Sequence, residues 1–125
     1  MLPRWRKTSN VRIERYIPQT LLFSRCDLVM CHAGSGTIMA ALSHGLPLVL
    51  VPIGADQPEN ARRCAALGLA LVADEDALTP STARAAVLEA LDDPSYRSKA
   101  RDLRAESEAL PGPEHAVTLL EQFIG

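Results

Sequence analysis

Short, wholly apolar runs alternate with longer stretches whose apolar residues recur every three or four positions, which predicts strands and helices in turn. Leu28-Val29-Met30-Cys31 and Pro47-Leu48-Val49-Leu50-Val51-Pro52 are continuous apolar runs of strand length, as in sheets covered on both faces. A third strand is predicted over 69–73. Between the first two, Ile38, Met39, Ala41 and Leu42 predict a helix over 37–43, stopped by Gly45 and Pro47. Asp56-Gln57-Pro58-Glu59 opens the next helix, with Ala61, Cys64, Ala65 and Leu67 on its stripe and Gly68 at its end. Asp56 and Glu59 have capping-box spacing, and Pro58 sits in the first turn, where its missing N–H costs nothing. Upstream, Val11 and Ile13 alternate with polar residues as far as Tyr16-Ile17-Pro18, predicting a short strand followed by a helical turn over 20–25. Residues 1–10 have no periodicity and read as a loop or frayed end. Downstream, one helix starts at Thr79-Pro80 with Ala83, Ala86, Val87, Ala90 and Leu91 on one face. Another starts at Pro94 with Tyr96, Ala100 and Leu103 inward, and a last one after Pro113 carries Ala116, Val117, Leu120, Phe123 and Ile124.

Apolar strands alternating with helices define an α/β fold, a Rossmann-like, mostly parallel sheet flanked by helices, here with a helical C-terminal tail. We read 1–10 as a frayed segment and 11–125 as one domain. Ligands of such sheets bind beyond the carboxyl ends of the strands, where the loops after 31 and after 52 both emerge.

Composition narrows the partners. The 125 residues are 47% hydrophobic and 22% charged, ordinary for a globular chain, and the net charge of −2 offers no footprint for nucleic acid. No apolar run approaches a membrane span, and the basic N-terminus lacks the apolar stretch of a secretory signal. Cys26, Cys31 and Cys64 lie in or beside apolar segments and read as buried free thiols of a cytoplasmic protein.

The chemistry concentrates in His32-Ala33-Gly34-Ser35-Gly36-Thr37. A strand that delivers a glycine-rich loop onto a helix start is suited to holding an anion, because free N–H groups and the helix dipole converge there. Gly34 and Gly36 allow close approach, while Ser35 and Thr37 add hydroxyl donors. A dinucleotide fingerprint needs glycine where Met39 stands, a P-loop needs Gly-Lys-Ser/Thr, and a nucleophile elbow on Ser35 needs glycine at 33 and 37. Cys26, Cys31, His32, His44 and Cys64 lack paired ligand spacing, so no metal is expected. Structural roles stand beside these. Asp56 serves equally as a helix cap, His32 as a strand-end residue bonded to backbone, Tyr16 as core and Gln19 as a turn anchor. His44 reads as a partner of the helix C-terminus, and Arg62 and Arg63 as a solvated face.

The stretch from His32 to Leu71 (HAGSGTIMAALSHGLPLVLVPIGADQPENARRCAALGLAL) is similar to the donor-binding signature of GT-B glycosyltransferases. It resembles the UDP-glycosyltransferase-like group most, including bacterial natural-product and macrolide transferases, and more loosely the peptidoglycan N-acetylglucosaminyltransferases. The resemblance extends upstream through Pro18-Gln19 and downstream past Thr79. It implies that His32, Gly34, Ser35, Gly36 and Thr37 hold the diphosphate, that Asp56 and Gln57 contact sugar hydroxyls, and that Tyr16 and Gln19 lie against the nucleoside. It implies an inverting transfer of a hexose from a UDP- or dTDP-sugar to an acceptor hydroxyl, the sugar nucleotide being a substrate, with no resident cofactor. Ala40 stands where plant members carry a ribose-binding Glu, which leaves 2′-deoxy donors open. The general base and acceptor domain are expected outside this stretch, in an N-terminal domain or a separate subunit, so no residue here is assigned as catalytic. Two other readings stand beside this one: a non-catalytic nucleotide-sugar-binding subunit, and an NAD-type module. If residues 11–16 normally pair with a further strand, they form an exposed edge or pair with another chain.

Overall fold

The computed structural model describes residues 10–125. The frayed segment expected over 1–10 therefore lies almost wholly outside the described residues. Three parallel strands, β1 (Val29–Cys31), β2 (Leu48–Leu50) and β3 (Ala70–Val72), form one sheet in the order β1-β2-β3. Val29 pairs with Leu48 and Leu48 with Ala70, and bonds from Val51 N–H to Cys31 and from Ala73 N–H to Leu50 carry the ladder past the strand ends. Six α-helices accompany the sheet among the described residues: α1 (Gln19–Leu22), α2 (Ser35–Ser43), α3 (Gln57–Ala66), α4 (Pro80–Asp92), α5 (Pro94–Glu108) and α6 (Pro113–Ile124).

The sheet is covered on both faces, as its unbroken apolar runs require. Leu48 and Leu50 are fully buried among Ile38, Ala41 and Leu42 of α2, Ala61 and Cys64 of α3 and Ala100 of α5. Val49 points to the opposite face, is equally buried, and meets the side where α4 lies against β2 and β3. Gly45 and Gly68 end α2 and α3 with φ of 66° and 73°, a conformation that favours glycine. Over them lie side-chain stems of α5. Arg101 Cγ comes within 3.3 Å of where a Cβ on Gly45 would stand, and Lys99 Cγ within 3.5 Å of the same point on Gly68. One helix therefore covers the ends of both helices that follow β1 and β2, through the aliphatic stems of its basic residues. Arg97 of α5 donates to the Asp27 carbonyl at 2.8 Å, anchoring the chain just before β1.

Two expectations are corrected. Residues 11–17 form no strand; Val11 and Ile13 are exposed and pair with no strand among the described residues, and an alternating pattern without a partner ladder stays extended but unpaired. The capping box at Asp56 is absent, because Asp56 already has helical angles (φ −82°, ψ −4°) and its side chain caps no N–H. Thr79, in the extended region, makes a reciprocal box with Thr82 that opens α4.

Candidate functional site

β1 ends at Cys31 and the chain turns sharply at Ala33, whose φ of 72° is unusual for a residue with a Cβ. Ala33 is completely buried, so the core holds this turn from beneath. Gly34 follows in extended conformation as the N-cap of α2 and offers no side chain to satisfy the first turn. The N–H groups that open α2, at Ser35, Gly36 and Thr37, therefore lack a side-chain cap at an exposed helix start. His32 leans across this opening: its Nε2 is 3.1 Å from where a Cβ on Gly34 would stand, so a side chain there would press on the imidazole. A Cβ on Gly36 would meet nothing within 4 Å, so that position fronts open space.

The loop after β2 closes on itself. Gln57 Oε1 accepts the N–H groups of Ile53 and Gly54 at 2.9 and 3.0 Å, which leaves its Nε2 end to reach outward. The two loops meet through Asn60. Its Nδ2 donates to the Ala33 carbonyl at 3.1 Å and to Asp56 Oδ2 at 3.2 Å. From the N-terminal side, Gln19 reaches the same cluster, its amide lying 3.4 Å from Thr37 Oγ1.

The sequence-predicted residues fall into three groups. His32, Gly34, Ser35, Gly36 and Thr37 share one turn; Gln19 joins them through Thr37, and Asp56 joins through Asn60, with Gln57 next to it at the start of α3. Tyr16 is 82% exposed, which removes the core alternative and leaves it free at the surface. His44 behaves as a helix-end residue, its Nδ1 donating to the Ala40 carbonyl at 2.9 Å. Asn60 carries the link between the loops, a role not assigned from sequence; its place on the first turn after the second loop was the available signal.

Electrostatics separates the site from its surroundings. Glu59, in the first turn of α3, is gripped by the Arg62 and Arg63 guanidinium groups at 2.7 and 3.1 Å, and their hydrogen bonds hold its carboxyl down at about 2. Burial pushes the thiols of Cys31 and Cys64 up, partly offset at Cys31 by the Ala33 backbone, so both stay protonated and inert near neutrality. No group of three His, Cys, Asp or Glu converges among the described residues. An apolar groove lined by Met39, Leu42, Leu103 and Leu110 lies towards the far end of α2 and has no part in this cluster.

The parallel sheet with two small-residue loops joined at its carboxyl edge matches the C-terminal domains of GT-B glycosyltransferases. Residues 6–123 match the model for the family described as Erythromycin biosynthesis protein CIII-like, C-terminal domain, and the chain belongs to that family. It is 38% identical over 101 residues to UDP-glycosyltransferase 2 of Phaeomoniella chlamydospora, covering 81% of this chain and 22% of that one. It is 33% identical over 114 residues to 3-alpha-mycarosylerythronolide B desosaminyl transferase of Saccharopolyspora erythraea, covering 91% and 27%. Among solved structures, spinosyn forosaminyltransferase SpnP superposes with TM-score 0.87 at 30% identity, over 94% of this chain and 32% of that one. The glycosyltransferase VinC in complex with DTDP superposes with TM-score 0.86 at 31% identity, over 92% and 29%. The chain thus spans about a quarter of the length of the curated relatives it matches. No helix among the described residues is long and apolar enough to cross a membrane.

Proposed function

We propose that the chain is the donor-binding domain of an inverting glycosyltransferase that moves a hexose from a UDP- or dTDP-sugar to an acceptor hydroxyl. One observation carries the reading: the uncapped, exposed start of α2 is joined by Asn60 to the loop bearing Asp56 and Gln57, so an anion site and a polar site lie side by side. A diphosphate with its sugar needs such a pair. That VinC was solved in complex with DTDP supports a thymidine nucleotide as one candidate.

In this reading the N–H and hydroxyl groups of 35–37 and the His32 imidazole hold the diphosphate, and Gln57 Nε2 and Asp56 meet the sugar hydroxyls. Tyr16 and Gln19 take the nucleoside side. As the glycosidic C–O bond breaks, negative charge grows on the leaving diphosphate, and donors fixed on its oxygens stabilise the transition state more than the bound substrate. The imidazole N–H adds a further hydrogen bond to the leaving oxyanion. The acceptor and its general base belong to a partner domain or subunit. The three cysteines, all free thiols, fit a cytoplasmic setting.

Titration of the 15N-labelled chain with dTDP, UDP and NAD tests this. The expected result is amide shifts confined to 34–37 and 57 with either nucleoside diphosphate; a response to NAD alone overturns the reading.

A further inference from the structure

We propose that Asn60 is a positioning residue: it fixes the plane of the 33–34 peptide, and so aims the Gly34 N–H at the mouth of the loop and ties the diphosphate and sugar sides into one unit. The proposal rests on the donor-binding reading above and goes beyond it by naming the residue that preorganises the site.

The C=O and N–H of a trans peptide point in opposite directions. Asn60 Nδ2 draws the Ala33 carbonyl towards α3 at 3.1 Å, which turns the Gly34 N–H the other way, to the side away from α3. The turn needs such a hold. Ala33 sits at φ 72°, a left-handed conformation disfavoured for any residue with a Cβ, and the 33–34 peptide can still turn about ψ of Ala33 and φ of Gly34, which would redirect the Gly34 N–H without changing that angle. The same Nδ2 lies 3.2 Å from Asp56 Oδ2, so one amide sets both the direction of a donor in the first loop and the position of a carboxylate in the second. A side chain serving only its own helix would bond within α3. This one spans 27 residues of sequence to the neighbouring loop.

Two variants test the lock. Asn60→Asp keeps the shape and removes the N–H donors, and Asn60→Ala removes the group in a residue that favours helix. In the unliganded chain, both should move the Gly34 amide resonance and change the Gly34 backbone coupling, which follows the 33–34 peptide plane, while resonances away from 33–34 and 56–60 stay in place. Affinity for dTDP should fall about tenfold in both, and affinity for dTDP-glucose by at least as much, because Asp56 is released too. A folded Asn60→Ala chain whose Gly34 resonance stays in place, or whose dTDP affinity stays within about twofold of wild type, overturns the proposal. A wild type that ignores both dTDP and UDP overturns the donor-binding reading instead; the unliganded Gly34 resonance then judges the peptide lock alone.

Discussion

Ala33, just before α2, and Gly36, in its first turn, lie three residues apart and answer to opposite surroundings. Ala33 is packed solidly by the protein although its backbone angles suit glycine, whereas Gly36 faces empty space although nothing in the protein forbids a side chain there. A glycine with room for a Cβ inside a helix is a stability deficit of up to about 1 kcal/mol relative to alanine. The space before Gly36 is where the proposed diphosphate lies. Gly36→Ala should therefore leave the thermal midpoint unchanged or slightly raised while weakening dTDP binding at least about tenfold, read by calorimetry on the same sample. Gly34→Ala should behave differently, because its Cβ would come within 3.1 Å of the His32 ring and displace it. There, both binding and the His32 resonance should change.

At the scale of elements, helix starts show what pattern can and cannot convey. Asp56 and Glu59 have the spacing of a capping box, yet only an extended N-cap residue can turn its side chain back onto the first N–H groups. Asp56 is helical and Thr79 extended, so the box forms at Thr79 and fails at Asp56. Glu59 instead belongs to Arg62 and Arg63. Because its folded value, about 2, lies below the ordinary 4.5, its contribution is complete above 4.5 and lost as pH falls towards 2. A 13C titration of the Glu59 carboxyl should show that depressed midpoint, and Arg62→Ala should raise it. The strands, the main helices and the glycine loop were legible because periodicity and punctuation are local. The unpaired state of 11–17 was not, since pairing depends on a partner that a linear pattern cannot show. Nor was the bond from Asn60 to Ala33, which exists only after β1 and β2 lie side by side.

For the molecule as a whole, burial is unevenly shared. The sheet with α2, α3 and α5 holds most of the core, whereas α6 contributes no buried residue and carries Phe123 at 93% and Ile124 at 86% exposure. Deleting residues 113–125 should leave the thermal midpoint within about 3 °C, since no core contact is lost. It should also reduce concentration-dependent association, measured by light scattering, because the largest exposed apolar side chains go with it.

The stems of Lys99 and Arg101 over Gly68 and Gly45 carry a lesson for building chimeras. Those positions read as interchangeable surface charges, but each is fitted to a turn more than thirty residues upstream. A graft that joins a foreign C-terminal segment between α4 and α5 would replace both stems and leave the two glycine turns uncovered. The two helices that open onto the site would then lose the packing over their far ends. A junction placed after α5 keeps stems and turns on the same parent.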